Sequence, residues 1–346
     1  MRNTFEIIQF CVVFPFVFEE RMMLPPEVIR TSVWMVINFI SSVWIIWSTK
    51  ICFQEGFKFA TTLTALHFLL TYLGLEVSAC LNFFERKKLP LLGVIPLSIS
   101  FCCFIVFNNL SLQHNTVGIY QVTKVLTTPL IVVIHMLFYK RYLSSGETLA
   151  LFMVCVGVAI ATEANLELNL AGVISGLLGV VSSSVYQIWV ETKQHDFNCS
   201  PAQLLYYQAP ISCLMLLPMI YLTEPIPDIM AFKLTLGSSV AIFGSAVLAF
   251  LVNLSTYMVI GATSPVTYNM IGHSKLVIII LSSYIMFGER QSFLGIVGVV
   301  SAVVGIISYA HIRMMAPKKE SFITAELSEK APLIRLSSED TASTDV

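Results

Sequence analysis

Charge is what this sequence has least of. Asp, Glu, Lys and Arg make up 12% of its 346 residues, against about a quarter in a soluble domain. Too few polar side chains remain to cover a water-facing globule of this size. That excludes a soluble enzyme, a disordered scaffold and a DNA-binding protein. Metal-ligand spacing is missing as well. The eight cysteines fall mostly inside apolar runs (Cys80, Cys102, Cys103, Cys155, Cys213) and read as small buried side chains, with no disulfide framework. His67, His135 and His273 stand on different segments with no metal or nucleophile spacing, which indicates neither a cofactor nor a membrane enzyme. Carboxylates are scarce within the apolar runs, with Glu76 the one far from a loop. Coupling to protons or sodium is disfavoured on that ground.

What the chain has in plenty is apolar residue: 56% AVILMFWYC and a mean hydropathy of +0.80. It comes in runs of the length, about 18 residues, that crosses roughly 30 Å of hydrocarbon. The fold class expected is an all-α polytopic membrane protein. Runs bounded by charge, Pro or Gly predict ten transmembrane helices at 32–51, 60–80, 90–112, 115–139, 147–163, 170–190, 201–222, 236–259, 264–287 and 291–312. The apolar stretch from Phe5 to Phe18 is too short to span and is followed by Glu19, Glu20 and Arg21. Residues 1–31 therefore read as a leader, interfacial or disordered. Residues 313–346, rich in Ser, Thr, Glu and Lys from Pro317 onward, read as a disordered tail.

Of the twenty Lys and Arg, fourteen fall on the side that receives both termini and four on the other. The excess of basic residues puts both termini in the cytosol. The remaining two, Lys124 and Lys275, lie inside predicted spans.

The halves resemble each other at a shift of about 148 residues: Thr116–Tyr120 answers Ser264–Tyr268, Asn109–Ser111 answers Asn253–Ser255, and Gly157 answers Gly305. Each repeat then holds five helices, at 32–163 and 170–312. An odd number forces the second copy to enter from the opposite side. Such inverted repeats mark secondary transporters with a site near the midplane. Gly172, Gly176, Gly179 and Ser183, and likewise Gly295, Gly298, Ala302 and Gly305, form stripes that read as packing seams.

Lys124 falls about eight residues into the fourth predicted helix and Lys275 about eleven into the ninth, roughly 12 and 16 Å deep. Lysine at such depth costs on the order of 2.5–3.5 kcal/mol. Neither helix carries an Asp or Glu. The simplest partner is an anionic ligand, and phosphate suits lysine as a compact point charge. Tyr120 shares a helix face with Lys124, and Tyr268 shares one with Lys275. Gln121, Thr123, Asn269, His273 and Ser274 add donors and acceptors. The structural alternative bonds each lysine to loop carbonyls or to Glu76. On the seventh helix, Tyr206, Tyr207 and Gln208 precede Pro210. Two aromatics and an amide suit a flat base, or form an interfacial belt.

The stretches Ile-Tyr-Gln-Val-Thr-Lys (119–124), Leu-Leu-Tyr-Tyr-Gln-Ala-Pro (204–210) and Ser-Pro-Val-Thr-Tyr-Asn-Met-Ile-Gly-His-Ser-Lys (264–275) resemble solute carrier family 35. These nucleotide-sugar and triose-phosphate transporters belong to the drug/metabolite transporter superfamily, and the likeness covers roughly residues 32–312. It implies the ten-helix 5+5 fold and exchange of a cytosolic nucleotide sugar for a luminal nucleoside monophosphate in a Golgi or endoplasmic reticulum membrane. Gly-His-Ser-Lys resembles plant transporters of UDP-linked sugars and departs from the Gly-Ala-Leu-Asn-Lys of GDP-mannose carriers. Lys124 and Lys275 are expected to hold the phosphates, Tyr206, Tyr207 and Gln208 the base, and Tyr268 and Asn269 the sugar. Alternatives are exchange of a phosphorylated metabolite for phosphate, as in plastid relatives, and a transport-inactive membrane scaffold. Expected partners are anionic small molecules and membrane lipid but not nucleic acid, with a homodimer left open. The sequons at Asn109, Asn198 and Asn253 are expected to stay unglycosylated, two lying in spans and Asn198 on the cytosolic side. Glu329–Ile334 has the form of an acidic dileucine signal, which would give an endolysosomal address, or is plain unstructured tail.

Overall fold

The computed structural model describes residues 26–114, 123–161, 169–287 and 293–315, and their regular structure is all helical. In chain order the helices are α1 (Pro26–Gln54), α2 (Ala60–Cys80), α3 (Leu91–His114), α4 (Thr127–Phe138), α5 (Ser145–Ala161), α6 (Leu170–Asp196), α7 (Pro201–Thr223), α8 (Ile226–Ala231), α9 (Leu236–Ala262), α10 (Pro265–Phe287) and α11 (Phe293–Met315). Among the described residues, six helices are long and apolar enough to cross a membrane: α1, α2, α3, α6, α7 and α9. Shorter apolar helices run over Thr123–Phe138, Ser145–Ile160 and Leu294–Tyr309. The protein is a polytopic, all-helical membrane protein. Its outward side chains agree: Leu92, Phe138, Leu170, Leu217 and Phe243 are all exposed, an arrangement suited to lipid. Helices satisfy their own backbone groups, as hydrocarbon demands.

Local chemistry fixes the ends. Ser200 and Gln203 form a reciprocal cap at the start of α7, with Pro201 in the first turn. Thr235 and Ser238 do the same for α9, and Asn169 Oδ1 accepts from the amides of Ala171 and Gly172 to start α6. The carboxylate of Glu224, just past α7, accepts from the amide and hydroxyl of Thr62 at 3.1 and 2.6 Å, capping α2 from a neighbouring chain segment.

Most boundaries shift by a few residues from the sequence reading, and the larger differences have physical reasons. Helix α1 starts at Pro26 rather than at residue 32, so the end of the expected leader is helical. A first-turn proline and the acidic Glu27 favour that start. Helix α6 continues to Asp196 rather than 190, because Lys193 and His195 complement its C-terminal dipole. Its extra turn buries Glu191 and Gln194. The six-residue α8 was not anticipated. The expected leader up to residue 25, the first half of the fourth span with Tyr120 and Gln121, and the tail from residue 316 lie outside the described residues.

Helix α1 packs on α9, α3 on α6, α2 on α7 and α9, α3 on α7, α5 on α11, and α10 on α1 and α4. One apolar core gathers Leu75, Leu97, Leu204, Leu216, Tyr257 and Ile260. A second gathers Ile131, Val154, Val158, Ala302, Ile306 and Tyr309. Helix α6 gives Tyr186 and Val190 to the first and Ile188 to the second. The small-residue stripes are packing seams. A β-carbon on Gly305 would stand 2.8 Å from the Ala150 carbonyl oxygen, and one on Gly176 would stand 2.9 Å from Ser111 Oγ.

Candidate anion-binding site

Helix α10 carries five of the twelve polar residues singled out in the sequence, and most of these reach out to different neighbours. Tyr268 Oη accepts from Thr256 Oγ1 of α9 at 3.5 Å. Asn269 Nδ2 donates to Gln187 Oε1 of α6 at 2.8 Å. The buried His273 shares a 2.9 Å bond through Nε2 with Thr128 Oγ1 of α4. Lys275 donates to α1, to Asn38 Oδ1 at 2.7 Å, Ser42 Oγ at 2.9 Å and the Asn38 carbonyl at 3.3 Å. Ser274 is the exception: its hydroxyl bonds back to the Met270 carbonyl at 3.0 Å, within its own helix.

Among the described residues the three acceptors of Lys275 are neutral, so these dipoles solvate its positive charge without cancelling it. Lys124 lies one helical turn before Thr128, on the same face of its helix. It is exposed, and its charge acts on both His273 and Lys275. The half-buried Thr123 beside it faces Gly176 of α6. Lys124 and Lys275 thus bring two basic residues to the region where α1, α4 and α10 meet.

The residues on α7 fall elsewhere. Gln208 is fully buried. Its Oε1 accepts from the Tyr257 hydroxyl, and its Nε2 donates to Ser212 Oγ at 3.1 Å. Tyr186 Oη completes the chain by donating to Tyr257 Oη at 3.4 Å. Both ends of the Gln208 amide are thus engaged inside the protein. Tyr206 donates its hydroxyl to Glu76, and its ring centroid lies 5.4 Å from both Tyr72 and Tyr207. Tyr207 is half-buried. Tyr268 is the bridge between the groups, bonded through Thr256 on one side and acting on Tyr186 on the other.

Glu76 does not pair with Lys275. Arg86, from the loop after α2, donates to it, and Tyr72 Oη adds a bond of 2.8 Å. The bond from Glu76 raises the Arg86 pKa above its ordinary value. A buried carboxylate escaped the sequence reading. Glu191, on the extra turn of α6, accepts from Arg141 at 2.8 Å and faces His135 Nε2 at 3.7 Å. Also missed were Asn38, Ser42, Thr128 and Gln187. An amide inside an apolar run, as at Asn38, was the available signal. Among the described residues, no group of His, Cys, Asp and Glu is arranged to hold a metal ion.

Comparison with known proteins agrees with this architecture. The sequence profile of the Triose-phosphate Transporter family matches residues 29–310. UDP-xylose transporter 3 of Arabidopsis thaliana is 35% identical, over 86% of this chain and 86% of its own. UDP-xylose transporter 2 of the same plant is 33% identical, over 86% and 87%. UDP-rhamnose/UDP-galactose transporter 2 is 32% identical, over 83% and 84%. One solved crystal structure shares the fold with a TM-score of 0.65 at 12% identity, covering 81% of this chain and 98% of that one.

Proposed function

The chain belongs to the Triose-phosphate Transporter family, and from that premise we propose that it exchanges a UDP-linked nucleotide sugar for a nucleoside monophosphate across a Golgi or endoplasmic reticulum membrane. It is a transporter and not an enzyme. The observation that carries the proposal is Lys275, whose partners inside the bundle, among the described residues, are all neutral oxygens. The relatives named for UDP-xylose, UDP-rhamnose and UDP-galactose supply the substrate class.

The proposed architecture is a 5+5 inverted repeat, 32–163 against 170–312, and the packing supports it. Under that correspondence α1 on α9 answers α6 on α3, and α2 on α9 answers α7 on α3. The contacts of α2 with α7 and of α5 with α11 map onto themselves, and Gly157 and Gly305 both lie in the second of these seams. Lys87 Nζ donates to the carbonyls of Phe197 and Asn198 at 3.0 and 2.7 Å, so the loops after α2 and α6 share one end of the bundle. Their basic residues favour the cytosol for that end, and with it both termini.

In this mechanism Lys124 and Lys275 hold the diphosphate of the entering nucleotide sugar and then the phosphate of the departing monophosphate. Tyr268 and Asn269 border the sugar. Tyr207, with the Tyr206 ring beside it, lines the approach of the base, and Gln208 stiffens that wall from behind. In the empty carrier the like charges of Lys124 and Lys275 both serve one site with no anion bound, which opposes reorientation. A bound anion removes that opposition, so the loaded carrier turns over and the empty one is slow.

The test is counterflow into proteoliposomes preloaded with UMP, GMP, CMP or phosphate, offered UDP-xylose, UDP-galactose and GDP-mannose. UDP-sugar uptake driven by UMP, and abolished by Lys124→Ala and by Lys275→Ala, is the expected result. Exchange retained in both variants overturns the site. Uptake driven by phosphate alone would make the protein a phosphorylated-metabolite exchanger. No exchange and no ligand stabilisation would make it a scaffold.

A further inference from the structure

Asn38 is fully buried in α1, and its two amide atoms do different things. The Oδ1 atom accepts from Lys275 at 2.7 Å. The Nδ2 atom donates to Ser255 Oγ at 3.0 Å and Thr256 Oγ1 at 3.1 Å, both on α9. These bonds fix the amide so that its oxygen faces the lysine. One turn on, Ser42 donates its hydroxyl to the Asn38 carbonyl, which leaves its oxygen lone pairs toward Lys275. Three oxygens thus occupy the three protons of the ammonium.

A phosphate reaching Lys275 has to take one or more of those protons. From this competition we infer that Asn38, with Ser42, is the placeholder of the site: it holds Lys275 while the carrier is empty and yields it to the anion. The inference rests on the reading of Lys275 as an anion-binding residue and adds to it what the anion displaces. A neutral amide suits the role. It satisfies a buried ammonium yet binds it less strongly than a carboxylate, because a bond charged at both ends is the stronger one. An aspartate here would neutralise the lysine permanently, and an alanine would leave it underbonded and open.

Displacement has a mechanical consequence. Once Lys275 turns to the ligand, α10 loses its described polar bonds to α1. Helix α1 keeps its bonds to α9 through Asn38 Nδ2. Occupancy therefore uncouples α10 from a joined α1–α9 pair, and it does so only when an anion is present to replace the lost acceptors. Asn38 is thus a positioning residue acting through Lys275.

Two substitutions at this position should move affinity in opposite directions, which a merely structural role does not do. Asn38→Asp is nearly isosteric, and the Ser255 and Thr256 hydroxyls, which now accept from Asn38 Nδ2, can turn from the Val252 carbonyl and Tyr268 to donate to the new carboxylate. It should raise the KM for UMP in counterflow by about tenfold or more and abolish the rise in melting temperature that UMP gives the wild type. Asn38→Ala should lower that KM by about threefold, with a reduced maximal rate. Ser42→Ala removes another acceptor, should shift KM in the same direction as Asn38→Ala, and serves if that variant does not fold. KM shifts of the same sign in the Asp and Ala (or Ser42→Ala) variants, or no shift, overturn the inference. Lys275→Ala, run alongside, separates the two readings. If it still binds UMP as the wild type does, the site assignment fails. If it loses UMP while the Asn38 variants move together, only the placeholder fails.

Discussion

The backbone of Gly157 in α5 meets that of Ala302 in α11 so closely that a β-carbon on the glycine would stand 2.5 Å from the Ala302 nitrogen. With the matching approach of Gly305 to Ala150, this makes the α5–α11 seam a backbone-to-backbone joint. Gly157→Ala and Gly305→Ala should each destabilise the protein by about 1–3 kcal/mol, the usual cost of overpacking. Gly244→Ala is the control, since nothing lies within 4 Å of its added carbon; it should be neutral or gain about 0.5–1 kcal/mol. Thermal unfolding in detergent reads the difference, and equal losses at all three positions would refute the seam.

Asn269 and Gln187 should behave as a coupled pair. In a double-mutant cycle with Asn269→Ala and Gln187→Ala, the coupling should be about 0.6 kcal/mol and not above about 1.7, the range for polar bonds between membrane helices. Strict additivity would mean that the 2.8 Å bond between α6 and α10 contributes nothing.

Glu76→Gln should lower the melting temperature, and more so at low salt than at high salt. The carboxylate and Arg86 are both partly exposed, so ions screen their attraction. Tyr206→Phe keeps the ring contacts and loses only the hydroxyl bond to Glu76. It should leave the UMP-induced stabilisation intact, whereas Lys275→Ala removes it. Loss of UMP binding in Tyr206→Phe would move the hydroxyl into the ligand site.

Glycosidase treatment of protein expressed in animal cells should leave its mobility unchanged. Asn253 donates its amide to Thr71 inside the bundle at 3.1 Å. Asn198 sits in a left-handed turn with φ 45°, its carbonyl bonded by Lys87 at the proposed cytosolic end. A glycan found on Asn198 would reverse the orientation.

Much of the fold was legible because charge and apolar runs alternate sharply. The reading placed one helix at 60–80, where α2 lies, and began another at 236, where α9 begins. It failed where charge was taken as a stop. Ending a span at 190 put Glu191 in a loop, although Arg141 and the extra turn of α6 keep it buried. The lysines stood out because an ammonium in hydrocarbon demands a reason, whereas Asn38 among Val, Ile and Phe carried a weaker demand. Spacing put Gln208 beside two tyrosines but could not say which way it points, and Tyr257, 49 residues away, takes its oxygen.

Helix α10 is tied to its surroundings like a tent pole by separate guy-ropes: the described polar ties run to α9, α6, α4 and α1 from Tyr268, Asn269, His273 and Lys275 in turn. Each rope is weak, worth on average about 0.6 kcal/mol, close to the thermal energy, for such bonds between membrane helices. Slackening one leaves the others taut, so the helix is free to lean by stages without first letting go of every neighbour.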